Sequence, residues 1–400
     1  MSTLRPQTLA VRAGIDRDQA FGAVTPPLVL SSNFSFAGFD AKRRYDYTRS
    51  GNPTRDLFAG ALAELEGGTG AVVTASGMAA ATLALHALLP RGGRIVVPHD
   101  CYGGCWRLFD ALARKGQFAV ATADLTDPRA LADALREPTD LVWIETPSNP
   151  LLRITDLRFV IDAAHRAGAL ALVDNTFLSP AWQQPIAFGA DVVLHSTTKY
   201  VNGHSDVVGG AVVAREAALH ETLAWWANAL GLAGAPFDSF LALRGLRTLD
   251  ARLRVHAENT GALVALLEAH PAVGALHWPG LASHPGHAVA ARQQHGFGAM
   301  LSLELAGGEA AVRAFVDGLE CFTLAESLGG VESLVAHPAT MTHAAMSAEA
   351  RQAAGIGDGL LRLSVGIEHA EDLVTDIAAA LARVDAAGAV SGPRSEQVVR

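Results

Sequence analysis

Short apolar runs alternate with amphipathic stretches through the first two thirds of the chain. The runs are Ala71–Ala75, Arg94–Pro98, Phe118–Ala123, Leu141–Glu145, Ala169–Val173, Val192–His195 and Val207–Val213. Continuous apolar strands separated by helical patterns predict a mostly parallel sheet covered by helices on both faces. Ahead of the first strand, a turn-rich loop runs into a helix near Pro53, whose Leu57, Ala61 and Leu65 recur on one face before Gly67 and Gly68 end it. Residues up to about Phe39 mix short apolar pieces with Pro and Gly, which predicts an arm that needs a surface to lie on.

Beyond Gly231 the pattern changes. A long helical stretch from about Ser239 to His270 leads out of the sheet domain. Strand-like runs at Ala299–Leu305 and Leu360–Val365 then mix with helical ones at Glu309–Leu319 and Ala370–Val384, the pattern of a smaller α+β domain. The expected division is an arm over 1–60, an α/β domain over 61–255, an α+β domain over 256–386 and a mobile tail over 387–400.

Composition narrows the partners. At 400 residues, 50% hydrophobic and 18% charged, the chain is too apolar to be disordered and too long for one ordinary core. No apolar run approaches the roughly 20 residues of a membrane span, and the start lacks the apolar core of a signal peptide, so the expected compartment is the cytoplasm. A formal charge of −9 argues against a broad polyanion-binding surface, and neither nucleic acid nor membrane is an expected partner. The local exception is Lys42-Arg43-Arg44 with Arg49 and Arg55, either a solvated loop or a pocket for small anions. Cys101, Cys105 and Cys321 form no disulfide framework, and His284 and His287 flank a Pro-Gly loop, so no metal site is expected.

Ligands of such sheets bind beyond the carboxyl ends of the strands, which makes those ends the candidates. Lys199 closes Ser196-Thr197-Thr198-Lys199 after the strand at Val192. Burial there would lower its pKa toward neutrality, which is what an amine needs to attack a carbonyl and hold a Schiff base. Ser76-Gly77-Met78 opens a helix after the first strand, and free amides at a helix start suit a phosphate, to which Ser196 and Thr198 could also donate. Tyr102 follows the second strand and can stack on a flat ring or cap the sheet; Asn149 follows the fourth and can bind a ligand or close its turn. Asp174 leaves a strongly apolar strand, and its carboxylate needs either a protonated ring nitrogen or a helix to cap. An imine-forming lysine, a phosphate turn, a stacking ring and a carboxylate for a pyridinium describe pyridoxal phosphate.

Dense motifs carry the same reading. Tyr47-Thr-Arg-Ser-Gly-Asn-Pro-Thr-Arg55, Pro98-His-Asp-Cys-Tyr-Gly-Gly104, Glu145-Thr-Pro-Ser-Asn-Pro150, Val173-Asp-Asn-Thr-Phe177 and Ser196-Thr-Thr-Lys199 resemble the Cys/Met-metabolism family of fold-type-I pyridoxal-phosphate enzymes. The resemblance covers nearly the whole chain and implies the aspartate-aminotransferase-like fold. It makes Lys199 the cofactor lysine and proton shuttle, Asp174 the partner of the ring nitrogen, and Tyr102 the stacking ring. Gly77, Met78, Ser196 and Thr198 would bind the phosphate, completed by Tyr47 and Arg49 from a neighbouring subunit, as in a homotetramer built as a dimer of dimers. Arg362, with Ser327 and Asn149, would meet the substrate α-carboxylate.

Leu223-Ala-Trp-Trp-Ala-Asn228 and Phe322-Thr-Leu-Ala-Glu-Ser-Leu-Gly-Gly-Val-Glu-Ser333 are most similar to the family's synthases. They imply γ-replacement between an O-acylated homoserine, O-succinyl-L-homoserine foremost, and L-cysteine. Ser50 stands where some of those synthases carry a second arginine, leaving Arg107 as the nearby candidate for the acyl carboxylate. The alternatives that keep the cofactor are a cystathionine lyase, an O-acylhomoserine sulfhydrylase and a methionine γ-lyase. Gly104 stands where methionine γ-lyases generally place a cysteine. A nucleotide-binding regulatory module is the alternative from another class, and it needs no lysine at a strand end.

Overall fold

The computed structural model describes residues 4–344, 351 and 354–388. From residue 389 onward, the expected tail lies outside the described residues. A seven-stranded sheet is built from β1 (Gly70–Thr74), β2 (Gly93–Pro98), β3 (Phe118–Ala123), β4 (Leu141–Glu145), β5 (Leu170–Asp174), β6 (Val192–His195) and β7 (Gly210–Ala214), in the order β1-β7-β6-β5-β4-β2-β3. Only β7 breaks the parallel run, lying antiparallel to both β1 and β6. It starts at Gly210 rather than Val207, because Gly209 is still held in the preceding loop by the Thr198 hydroxyl.

Strand alternation divides the interior into two cores. Val96, Val142, Ile144, Ala171, Val173 and Val193 face α2 (Pro53–Glu66) and α6 (Leu157–Arg166). Ile95, Val97, Leu141, Trp143, Leu172, Val192 and Leu194 face the other way, toward α3 (Gly77–Leu88), α4 (Gly103–Arg114) and α8 (Ala217–Leu230). The arm holds a short helix, α1 (Pro6–Arg12), which the sequence pattern did not predict and which buries Ala10 against the first of these cores.

The single helix expected over Ser239–His270 is two, α9 (Pro236–Leu246) and α10 (Leu249–Glu268). Buried Arg252 stands at the break: its guanidinium donates to the Gly245 carbonyl, which a continuous helix would use itself, and also to the Tyr200 carbonyl and the Thr248 hydroxyl. Helix α10 leads to a five-stranded sheet of β8 (Val273–His277), β9 (Met300–Leu305), β10 (Thr323–Leu324), β11 (Leu334–Ala336) and β12 (Leu360–Ser364), ordered β10-β11-β12-β9-β8. α12 (Gly308–Val316) and α13 (Ala370–Ala386) cover it over a separate core that includes Leu301, Phe315, Leu363 and Ile377. Among the described residues, no helix is long and apolar enough to cross a membrane.

Candidate active site

Beyond the carboxyl ends of β4, β5 and β6 lies a cleft of about 780 Å³, closed from the other side by Glu326–Leu328, Met341, Thr342, Ala344 and Arg362. Lys199 enters it from the turn after β6. Its amine donates to the Ser327 hydroxyl at 2.8 Å. Burial, with a smaller push from the Arg362 cation, lowers the ammonium pKa to about 8, although Glu326 pulls the other way.

Arg362 sits mid-strand in β12, only 3% exposed. One nitrogen donates to Asn149 Oδ1 at 2.9 Å and another to the Ser327 carbonyl at 2.9 Å, while Nε has no partner among the described residues. Burial lowers its pKa to about 10. A buried guanidinium held by neutral oxygens and edging a cleft is suited to a carboxylate.

Asp174 ends β5 with its carboxylate taking the Thr176 amide at 3.0 Å. Burial raises its pKa, opposed by hydrogen bonds from Thr176 and by the nearby charge of His195. Glu145, at the end of β4, is buried too and is pushed well up, first by burial and then by the charge of Asp174. It accepts the Tyr102 amide at 2.8 Å and so fixes the start of α4. The Tyr102 ring packs tightly over Gly104, where an added Cβ would lie 2.5 Å from the ring and 3.1 Å from Met78 Sδ.

At the start of α3 the Ser76 hydroxyl takes the Ala79 amide, leaving those of Gly77 and Met78 without an acceptor among the described residues. A Cβ on Gly77 would lie 2.7 Å from Ser196 Cβ, so glycine is what lets this turn approach the loop after β6. The Thr198 hydroxyl lines the cleft while bonding both backbone polar groups of Gly209.

The cleft brings together Gly77, Met78, Tyr102, Arg107, Asn149, Asp174, Ser196, Thr198, Lys199, Ser327 and Arg362. Tyr47 and Arg49 do not line the cleft of their own chain: Arg49 donates to the Asn228 carbonyl and side chain and lies over the Tyr47 ring. Glu145, Thr176 and Glu326 line the cleft but were not singled out from the sequence. For Glu145 the signal was present, since it ends an apolar strand in the same way as Asp174.

These features fit pyridoxal phosphate. Two unpartnered amides and a hydroxyl loop suit its phosphate, a buried carboxylate its ring nitrogen, and an amine of lowered pKa its aldehyde. The chain belongs to the Cys/Met metabolism PLP-dependent enzyme family, whose pattern matches residues 7–382. With the seven-stranded sheet, the second smaller sheet and the cleft between them, it has the aspartate-aminotransferase-like, fold-type-I architecture.

Among relatives, it is 54% identical over 375 residues to the cystathionine γ-synthase of Escherichia coli (strain K12), spanning 94% of this chain and 97% of that one. Two crystal structures of the cystathionine γ-synthase from Xanthomonas oryzae pv. oryzae, one in complex with aminoacrylate and cysteine and one with cystathionine, are 72% identical. Each superposes with a TM-score of 0.96 over 96% of this chain and 100% of that one.

Proposed function

We propose that this enzyme joins O-succinyl-L-homoserine, or another O-acyl-L-homoserine, to L-cysteine, giving L-cystathionine and the free acid. The bond from Cγ to the acyloxy oxygen breaks, a bond from Cγ to sulfur forms, and the thiol proton leaves with the acid. The observation that carries this reading is Arg362, a buried cation that lines the same cleft as the Lys199 amine. The names of the relatives support the choice of reaction.

When bound, pyridoxal phosphate supplies an electron sink that lets a proton leave the substrate α-carbon. Gly77, Met78, Ser196 and Thr198 would hold its phosphate, Tyr102 would stack on its ring and Asp174 would face the ring nitrogen. Lys199 would carry the cofactor through Nζ and, once substrate binds, take and return protons at the substrate carbons; a pKa of about 8 keeps a useful fraction of the amine neutral. Arg362, Asn149 and Ser327 would grip the α-carboxylate and orient the α-carbon toward that amine. Arg107, exposed on α4 at the cleft wall, would meet the acyl carboxylate.

The same reading takes residues 61–255 as the cofactor domain and 256–386 as the second domain. The arm, 1–60, would deliver Tyr47 and Arg49 to a neighbouring subunit in a cytoplasmic homotetramer. The reaction is tested by supplying O-succinyl-L-homoserine with and without cysteine and assaying cystathionine and 2-oxobutyrate. Cystathionine should accumulate, and 2-oxobutyrate fall, as cysteine rises. Unchanged 2-oxobutyrate with no cystathionine would make the enzyme a lyase.

A further inference from the structure

The segment that carries Ser327 crosses between β10 and β11 with few hydrogen bonds of its own. At one end the Ala325 amide donates to the Val335 carbonyl at 3.0 Å, and at the other the Val331 amide donates to the Gly203 carbonyl at 3.0 Å. Between these ties Leu328 sinks its side chain into the core that α2 and α6 cover. Apolar burial is non-directional, so it holds a place without fixing how the neighbouring peptide planes turn. Among the described residues three hydrogen bonds set those planes. Lys199 donates to the Ser327 hydroxyl, Arg362 donates to the Ser327 carbonyl, and the Gly329 amide donates to the Ser364 hydroxyl at 2.8 Å.

The first two bonds come from groups with other work to do. Lys199 leaves Ser327 when it carries the cofactor through Nζ, and Arg362 is shared with the α-carboxylate. Ser364 is free of both tasks. It is the last residue of β12, 1% exposed, two residues beyond Arg362 and therefore on the same face of the strand. Leu361 and Leu363 face the other way, into the core of the second sheet. Without the Ser364 oxygen the Gly329 amide would be a buried donor with no acceptor.

The backbone makes this bond count. Ser327 and Gly329 both lie in the left-handed region, at φ 84° and 76°. A Cβ on Gly329 would lie 2.8 Å from the amide nitrogen of Tyr200, the residue after Lys199, so only glycine fits there. Ser327 does carry a Cβ, and its conformation persists only while its surroundings impose it. The turn thus rests on the residue next to Lys199 on one side and on the residue two beyond Arg362 on the other.

We propose that Ser364 is a positioning residue: through the Gly329 amide it fixes the left-handed turn that sets the Ser327 hydroxyl and carbonyl between Lys199 and Arg362. It touches neither cofactor nor substrate. The proposal rests on the reading that Ser327 serves the substrate site.

The test is a double-mutant cycle on the holoenzyme. It follows consumption of O-succinyl-L-homoserine in the presence of cysteine, per bound cofactor and whichever product forms, so that a lyase outcome would correct the reaction without touching this proposal. Ser364→Ala should lower kcat/KM about fivefold while leaving pyridoxal phosphate affinity within about twofold, and Ser364→Thr, which keeps the oxygen, should stay within about twofold in both. With Ser327→Ala costing about tenfold, independent effects would multiply to about fiftyfold, whereas the double variant should lose about fifteenfold or less. If the extra methyl of Ser364→Thr prevents folding, the cycle decides alone. If Ser364→Ala does not fold, Ser364→Cys, whose sulfur is a weaker acceptor, replaces it in the cycle. Multiplicative losses, an unchanged kcat/KM, or equal losses in cofactor affinity and kcat/KM overturn the proposal and leave Ser364 a part of the scaffold. If Ser327→Ala itself loses nothing, the reading of Ser327 falls, and this proposal with it.

Discussion

Ser327 answers Lys199 across the boundary between the two sheets: the lysine amine donates to its hydroxyl at 2.8 Å, and its carbonyl takes Arg362 at 2.9 Å. One residue therefore sets the spacing between the amine and the guanidinium. It does so from left-handed backbone, φ 84°, which costs a residue with a Cβ on the order of 1 kcal/mol. Ser327→Ala should still accept cofactor on Lys199, shown by borohydride trapping and peptide mapping. Its kcat/KM should drop about tenfold, the worth of a hydrogen bond to a charged group. An adduct on another lysine would refute the assignment of Lys199.

The lowered pKa of Lys199 has a direct kinetic reading. Burial and Arg362 disfavour the ammonium, so the amine loses its proton near pH 8 rather than 10.5. Capture of pyridoxal phosphate by the apoenzyme, followed by stopped-flow absorbance, should quicken as pH rises through about 8 and level off above it. A midpoint near 10.5 would mean a solvated lysine.

For Arg362 the two partners separate binding from chemistry. Arg362→Leu should retain cofactor affinity but lose about 10²- to 10³-fold in kcat/KM for the amino-acid substrate, since a buried charge pair with the α-carboxylate is gone. Arg362→Lys should recover little, because an ammonium cannot reproduce the planar fork that meets Asn149 and Ser327 together. Full activity in the lysine variant would place the carboxylate elsewhere.

Arg49 lies outside the cleft of its own chain, which sharpens the shared-site proposal. Lys199→Ala and Arg49→Ala homo-oligomers should both work poorly. Refolded together, they should regain up to about half of the wild-type sites per mixed dimer, if sites act independently. Mixtures no better than the separate mutants, with mixed dimers confirmed by mass spectrometry, would confine Arg49 to its own chain.

The strand ends were legible because a charged or hydroxyl residue closing an apolar run is conspicuous: Asp174, Ser196 and Lys199 all follow that rule, and all line the cleft. Arg362 lies inside an apolar strand and was marked only by resemblance, since nothing local reveals that its partners Asn149 and Ser327 are 213 and 35 residues away. The break between α9 and α10 was hidden for the same reason. There the Arg252 guanidinium takes the Gly245 carbonyl while it is tied to Tyr200, a tertiary contact that leucine spacing cannot encode. Glu66 ends a helix and His195 a strand, 129 residues apart, and only the fold brings them to 2.6 Å.

The double hydrogen bond between Thr198 and Gly209, with β6 and β7 lying side by side, closes the segment that carries Lys199 into a loop clamped at both ends. In mechanical terms Lys199 stands on a built-in beam rather than a cantilever. Any displacement of its Cα must bend two anchored strands at once, so the reach of the amine comes from rotation about its own four side-chain carbons. Compliance in the cleft is then left to the opposite wall, where Glu326–Leu328 crosses between β10 and β11 without a strand of its own.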